Sequence, residues 1–239
     1  MRWKKRRRKS CVVRSRPDTR KWIVFPGAGK FFYWQMGIAH YLNTHTHSKH
    51  KDDMLLMGES SGALTITLMA CEIDPKYATE VALYHLGEAK SVIGIWGPIV
   101  RKWLEDILPE DAAARCTDRV HIAITTWNHG CFLPERIIVS KFHDKQDLID
   151  ACLASIHIPY LIDGRMFYRF RGMWSIDGAI WATSYSLGYH PSSPCTIVFD
   201  YKRDPKLTSA SFINFFTMCS PDYLYSLIEH GKNYISEQQ

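Results

Sequence analysis

The stretch that decides the fold is Met54-Leu-Leu-Met-Gly-Glu-Ser-Ser-Gly-Ala-Leu64. Its first four residues form a short apolar run flanked by polar residues, which predicts a buried strand. The pattern G-x-S-x-G at 58–62 follows, and then an apolar run long enough for a buried helix. Strand, tight turn and helix are the context of a nucleophile elbow, in which glycines let backbone pass close to a strained serine. The alternative is an ordinary Gly-Ser turn with Ser60 or Ser61 as the N-cap of the helix.

Length and composition predict a folded globular chain with either one generous domain or two small ones, and we expect one domain over residues 21–239. Of the 239 residues, 46% are hydrophobic and 23% are charged, as in ordinary globular proteins. The seven cysteines are odd in number and contain no C-x-x-C pair, which argues against a disulfide framework or a cysteine zinc site and favours a reducing compartment. No apolar run approaches the length of a membrane-spanning helix, so none is expected.

The first nine residues are strongly basic, and we expect residues 1–20 to form a disordered tail. No apolar segment follows them, so they do not read as a secretory signal. Three interpretations remain: a solvated tail, a nuclear-import-type cluster, or an arm that binds anionic lipid at about 1 kcal/mol per cation. The rest of the chain is nearly neutral, so no specific nucleic-acid partner is expected. The cations of the tail are Arg2, Lys4, Lys5, Arg6, Arg7, Arg8 and Lys9.

Predicted strands and helices alternate along the chain. Such alternation predicts an α/β fold with short buried strands and a site at their carboxyl ends. The predicted strands cover 22–25, 54–57, 119–126, 136–142, 174–176 and 195–199, with a turn at 128–130. The predicted helices cover 31–42, 63–70, 75–90, 99–108, 145–155 and 221–237.

A glycine-containing turn, Pro26-Gly-Ala-Gly-Lys30, follows the first predicted strand. Small residues there let backbone N–H groups turn inward beside a helix N-terminus, which favours an anion and makes this turn a candidate oxyanion hole. The alternatives are an ordinary glycine turn or a nucleotide-binding G-x-G. Phe32 occupies the position of a third glycine and no Gly-Lys-Ser/Thr follows, which argues against nucleotide binding.

The candidate base is Asp177, because Ser175-Ile-Asp-Gly-Ala179 ends a predicted strand at the sheet edge expected for Ser60. Asp163-Gly164 has the same dipeptide but a setting typical of a surface turn. A triad in the usual order needs a histidine after the acid, and only His190 and His230 qualify. His190 precedes a proline in a loop, and His230 lies near the end of a predicted helix, where capping is the commoner role.

The spacing His45-x-His47-x-x-His50 resembles a metal-ligand pattern. The three histidines lie in a polar connection beside two lysines, which favours a solvated loop over a zinc site. No metal site is therefore predicted.

Taken in order, Gly-x-Gly after the first strand, G-x-S-x-G after the second and Asp-Gly-Ala far downstream resemble the motifs of the patatin-like phospholipases. The run 137–160, from Ile137 to Tyr160, is similar to the corresponding run in the adiponutrin and adipose triglyceride lipase branch of that family. Further similar segments are 108–111, 120–124 and the helix at 221–231. The likeness extends from about residue 21 to residue 236.

This resemblance implies a three-layer α/β/α fold with a mostly parallel sheet and a Ser-Asp dyad, in which Ser60 is the nucleophile and Asp177 is the base. The implied substrates are fatty-acyl esters of acylglycerols or glycerophospholipids, hydrolysed through an acyl-enzyme with no cofactor, metal or calcium. The implied location is cytoplasmic, peripheral to a membrane or lipid droplet. The implied oxyanion hole comprises the amides of Gly27, Ala28, Gly29 and Lys30, and the motif is supported by Gly58, Gly62 and Gly178.

The chain departs from the family pattern at three places. Phe32 replaces a glycine, Ala179 replaces the second glycine of Asp-Gly-Gly, and 180–184 replaces an Asn-x-Pro-like stretch. These departures and the basic tail keep open the alternative of a lipid-surface binding protein with a vestigial site. An acyl transferase that uses the same serine also stays open, because water and an alcohol acceptor compete for the same acyl-enzyme.

Overall fold

The computed structural model describes residues 21–46, 54–87, 93–127, 133–180, 196–207 and 219–238. Within these ranges the fold is α/β, a seven-stranded sheet flanked by helices, as the sequence predicts. The strands are β1 (Lys21–Phe25), β2 (Met54–Glu59), β3 (Val120–Trp127), β4 (Glu135–Val139), β5 (Tyr168–Phe170), β6 (Met173–Ile176) and β7 (Thr196–Val198). The helices are α1 (Phe32–His45), α2 (Ser61–Ala70), α3 (Pro75–Leu86), α4 (Trp96–Ile107), α5 (Ala112–Cys116), α6 (Lys145–Ser155) and α7 (Pro221–Ser236).

The sheet is mixed, with a parallel centre. Its order is β5-β6-β3-β2-β1-β7, and β4 also pairs with β3. Strands β7, β1, β2 and β3 run parallel, whereas β4, β6 and β5 join by antiparallel pairing. Parallel neighbours end at the same edge of a sheet, so the turns after β1 and β2 lie side by side there.

The two faces of the sheet follow the period-2 alternation of a strand. On β1, Ile23 and Phe25 join the main core, whereas Val24 joins a small cluster on the other face with Met57 and Ala123. Helix α2 is buried along its whole length, which explains why its sequence is apolar on every side.

Helices α1 and α7 approach each other through paired glycines. A Cβ on Gly37 would lie 2.0 Å from the carbonyl oxygen of Ile228, and one on Gly231 would lie 2.0 Å from that of Trp34. Only glycine permits this backbone-to-backbone contact. This contact holds α1 in place against α7, and with it the glycine turn that immediately precedes α1.

Several predicted boundaries need correction. Helix α3 is capped by the Asp74 side chain and ends at Leu86 instead of residue 90, because Gly87 takes a φ of 53° that a helix does not allow. Helix α4 begins at Trp96 instead of residue 99, strand β4 ends at Val139, and α5 and β5 were not predicted. The basic tail, the turn at 128–130, His47, His50, residues 181–184 and His190 lie outside the described residues.

Candidate active site

Ser60 lies on a strained turn between β2 and α2. Its backbone takes φ 52° and ψ −132°, a conformation that costs a non-glycine residue of order 1–3 kcal/mol and is typical of active sites. Both motif glycines are required by close approach. A Cβ on Gly58 would lie 2.4 Å from the carbonyl oxygen of Gly62, and one on Gly62 would lie 1.8 Å from that of Phe25. The turn therefore has the geometry of a nucleophile elbow.

The structure brings Ser60 and Asp177 together, although they are 117 residues apart in the chain. The Ser60 hydroxyl donates a hydrogen bond to Oδ2 of Asp177 over 2.6 Å. The other carboxylate oxygen accepts from the backbone N–H of Ala179 at 2.7 Å. Asp177 is only 2% exposed, so these two donors take the place of water.

Burial raises the pKa of Asp177 to about 7, because an ionised carboxylate loses its hydration inside the protein. The nearby charge of Glu59 also raises it, whereas the hydrogen bonds from Ser60 and Ala179 and the charge of Arg136 lower it. A base with a pKa near 7 is well matched to proton transfer at neutral pH. The carboxylate therefore has the contact and the basicity needed to accept the Ser60 proton.

The turn that carries Asp177 is held by the segment after α6. The amide of Asp177 donates to the carbonyl of His157 at 2.8 Å, and that of Gly178 donates to the carbonyl of Ser155 at 3.0 Å. A Cβ on Gly178 would lie 2.1 Å from the carbonyl oxygen of Ala123. Glycine after the acid is therefore required, so that the turn can lie against β3.

Ser155 connects the two halves of the site, and sequence reasoning did not single it out. Its buried hydroxyl donates to the carbonyl of Ala123 at 2.8 Å and accepts from the amide of Ser60 at 3.0 Å. The side chain of Ser155 thus connects the turn at Ser60 to β3, while its backbone carbonyl accepts from the N–H of Gly178. The only signal in the sequence was its place in the similar run 137–160.

The glycine turn faces Ser60, and its four amides are not equivalent. The N–H of Gly27 interacts electrostatically with the Glu59 carboxylate, and the N–H of Ala28 donates to the Ser61 hydroxyl at 2.8 Å. Within the described residues, the amides of Gly29 and Lys30 have no acceptor, and both residues line the cavity that contains Ser60. Of the four predicted oxyanion donors, these two are placed to receive a ligand.

The cavity beside Ser60 is almost entirely apolar. It has a volume of about 170 Å³, similar to engineered apolar cavities of about 150 Å³ that bind benzene-sized ligands. Phe32 lines it and packs edge-on against Trp103, so this residue forms part of the cavity wall. The other apolar wall residues include Leu64, Leu86, Trp96, Val100, Ile158 and Leu161.

The histidines within the described residues do not join Ser60 to Asp177. His230 lies inside α7 instead of capping it, and its Nε2 is 2.7 Å from Oδ2 of the buried Asp204. His157 is fully buried, which lowers the pKa of its ring. His45 contacts the carbonyl of Tyr41 in its own helix. Asp163 lies in a turn, as predicted, and does not contact Ser60.

Two features are absent from the described residues. No group of three or more His, Cys, Asp or Glu side chains is arranged to hold a metal ion there. In the same ranges, no helix has both the length and the apolar character needed to span a bilayer.

The fold and the site together define an α/β protein with a serine on a strained turn, a buried carboxylate hydrogen-bonded to that serine, and an apolar cavity. No protein-family model matches the chain. Curated proteins do match it: the chain is similar in sequence to patatin-like phospholipase domain-containing proteins and to acyltransferases. This similarity confirms the resemblance seen in the motifs.

Three relatives illustrate this similarity. An omega-hydroxyceramide transacylase of Mus musculus is 28% identical over 196 residues, which is 79% of this chain and 30% of the relative. The 1-acylglycerol-3-phosphate O-acyltransferase Pnpla3 of Mus musculus is 28% identical over 171 residues, 69% of this chain and 40% of the relative. The human patatin-like phospholipase domain-containing protein 2 is 28% identical over 172 residues, 69% of this chain and 33% of the relative.

The chain spans between 30% and 40% of the length of these relatives. Among solved structures, VipD from Legionella pneumophila aligns with 75% of this chain and 49% of its own, at 10% identity and a TM-score of 0.36. Similarity at that level supports no conclusion about this chain.

Proposed function

We propose that this chain is a serine lipid acyl hydrolase that cleaves fatty-acyl esters through a Ser60–Asp177 dyad. The observation that carries the proposal is the 2.6 Å hydrogen bond from the Ser60 hydroxyl to a buried carboxylate. Nucleophile and base within hydrogen-bonding reach are the signature of nucleophilic catalysis. The apolar cavity suits an acyl chain, and the names of the relatives connect similar chains with lipid acyl chemistry.

The steps follow from this geometry. Asp177 takes the proton of the Ser60 hydroxyl as the oxygen attacks the ester carbonyl, and the negative charge develops on the carbonyl oxygen facing the amides of Gly29 and Lys30. The intermediate collapses, and the leaving alkoxide takes the proton from Asp177 as the alcohol departs. Water then gives a proton to Asp177 as its oxygen attacks the acyl-enzyme. When this second intermediate collapses, the Ser60 oxygen leaves and takes that proton back from Asp177, which releases the fatty acid and restores both residues.

The N-terminus of α2 adds to the stabilisation of this charge. The helix begins at Ser61, directly after the nucleophile, and its first amides carry the partial positive charge of a helix N-terminus. Sequence reasoning assigned the oxyanion role to the glycine turn alone. In this proposal the two elements act together.

The test is a panel of long-chain acylglycerol and glycerophospholipid esters assayed with the wild type and Ser60→Ala. We expect Ser60→Ala to abolish turnover and labelling by a fluorophosphonate, while Ser226→Ala, a change on the exposed side of α7, leaves both intact. Unchanged turnover in Ser60→Ala would refute the proposal. Short esters in the panel report on the dyad, and long esters report on the cavity.

Acyl transfer is the second candidate, and it is favoured by the names of two relatives, a transacylase and an O-acyltransferase. Water and an alcohol acceptor compete for the same acyl-enzyme, so the two activities share Ser60 and Asp177. A labelled acyl donor supplied with glycerol, a lysophospholipid or a long-chain alcohol separates them by the product formed.

Lipid-surface attachment belongs to the same proposal. We assign it to the seven cations of the basic tail, which suit anionic lipid. Sedimentation with vesicles of phosphatidylcholine, with and without phosphatidylserine, tests it by comparing the full chain with a variant in which these cations are neutralised. If the protein instead binds lipid and its site is vestigial, it should sediment with the vesicles while Ser60 is not labelled by the fluorophosphonate.

A further inference from the structure

Glu59 is the variable residue of the G-x-S-x-G motif and lies directly before the nucleophile. Its side chain is 9% exposed and forms an ion pair with Arg136 on β4, whose side chain is also 9% exposed. Removing two charges from water is costly unless the pair is well hydrogen-bonded, and a buried pair is often no more stabilising than apolar residues of the same size. Stability alone therefore does not account for this pair.

The contacts of Glu59 reach both turns of the site. The Glu59 carboxylate interacts electrostatically with the N–H of Gly27, and the Glu59 Cβ lies 3.4 Å from the position that a Cβ on Gly178 would occupy. The first contact is electrostatic and is with the glycine turn, and the second is steric and is with the turn that carries Asp177. No apolar residue at position 59 would accept the Gly27 N–H.

We propose that Glu59 and Arg136 are positioning residues for the proposed hydrolase site. Arg136 holds the Glu59 carboxylate, and Glu59 in turn anchors Gly27, so that the amides of Gly29 and Lys30 face the cavity. The same pair sets the charge around Asp177. This inference rests on the proposed function, because it assigns the pair a role in that chemistry.

The charges around the base allow a direct test. Asp177 is faced by Glu59 from β2, which raises its pKa, and by Arg136 from β4, which lowers it. Glu59 is faced by Arg136 and, from the segment after β7, by Asp200. Replacing Glu59 with glutamine removes the charge that raises the pKa of Asp177 and keeps the one that lowers it. The acid limb, the fall of kcat/KM at low pH as Asp177 becomes protonated, then moves to lower pH.

The experiment compares kcat, KM and the pH profile of kcat/KM for Glu59→Gln, Arg136→Lys and Glu110→Gln on a soluble short-chain nitrophenyl ester. We expect Glu59→Gln to lower kcat by about 10- to 100-fold, less than the ~10²–10³ for loss of an oxyanion donor. Its KM should stay near the wild-type value, and its acid limb should shift downward. Arg136→Lys keeps the charge, so its limb should stay in place while kcat falls several-fold. Glu110 is on the surface, and its variant should behave as wild type.

A folded Glu59→Gln protein with wild-type kcat and an unmoved acid limb would overturn the inference. If that variant does not fold, Arg136→Lys decides, because a wild-type kcat there would also overturn it. A readout without turnover is the pH dependence of the unfolding midpoint, in which the region governed by Asp177 should move to lower pH in Glu59→Gln. If the wild type hydrolyses no ester, the proposed function fails, whereas the unfolding profile still tests the pair.

Discussion

Asp177→Asn should stabilise the protein at neutral and alkaline pH while it abolishes ester hydrolysis. The ordinary pKa of 3.8 is raised to about 7 in the folded state, a difference of about 3 units at 1.36 kcal/mol each, or on the order of 4 kcal/mol. Asparagine carries no charge. Its amide oxygen can accept from the Ala179 N–H, and its NH₂ can donate to the Ser60 hydroxyl, so neither buried partner is left unpaired.

The contribution of Asp177 to the free energy of unfolding depends on pH, because the folded and unfolded states bind its proton with different affinity. Between pH 4 and 7 the folded protein holds a proton on Asp177 that the unfolded chain has lost, so the contribution of Asp177 to stability falls as pH rises through this window. Above pH 7 the contribution is constant and unfavourable. Between pH 5 and pH 8 the stability gained by Asp177→Asn over wild type should therefore grow by about 3 kcal/mol, from about 2 pKa units at 1.36 kcal/mol each.

The assay is urea unfolding of the wild type and Asp177→Asn at pH 5, 6, 7 and 8. Buried groups such as His157 also titrate, but they are common to both proteins and cancel in the difference. Ser60→Ala is the matched control, since it removes the hydroxyl and keeps the buried carboxylate, so its profile should retain the slope of the wild type. A difference between Asp177→Asn and wild type that does not change with pH would refute the reasoning.

Three further predictions concern the rest of the site. Gly62→Ala places a Cβ 1.8 Å from a backbone oxygen and should prevent stable folding. Gly27→Ala has its nearest contact at 3.0 Å, with the Cβ of Ser60, so the variant should fold, as measured by circular dichroism, but lose hydrolysis because Ser60 is displaced. Leu86→Trp narrows the cavity and should shift kcat/KM towards shorter acyl chains across a series of nitrophenyl esters, with Ile138→Trp on the exposed face of β4 as a control that leaves the preference unchanged. His230→Ala leaves a buried carboxylate without its partner and should lower stability by about 1–3 kcal/mol while the folded variant keeps its activity; a loss of several orders of magnitude would indicate a triad instead of a dyad.

The local elements were largely predictable from the sequence, because each depends on a short run of residues. The apolar run before Gly58, the two motif glycines and the Asp-Gly turn after β6 carry their own geometric constraints, and the structure places them as expected. Boundaries were less predictable. Whether helix α3 continues after residue 86 depends on one backbone angle at Gly87. Helix α5 and strand β5 are too short to show the hydrophobic periodicity from which an element is predicted.

The sequence by itself determined which residues make up the candidate site: a serine on a turn that only glycines allow, a glycine loop after β1, and an aspartate at a strand end. The tertiary structure alone decided how they meet, because contacts between residues 33 to 117 positions apart in the chain leave no local pattern. It engages Gly27 and Ala28 inside the protein and directs Gly29 and Lys30 to the cavity, and it turns the Ser155 hydroxyl towards the Ser60 amide. It also buries Glu59 against Arg136, and burial, which raises the pKa of Asp177, is a property of the packed fold.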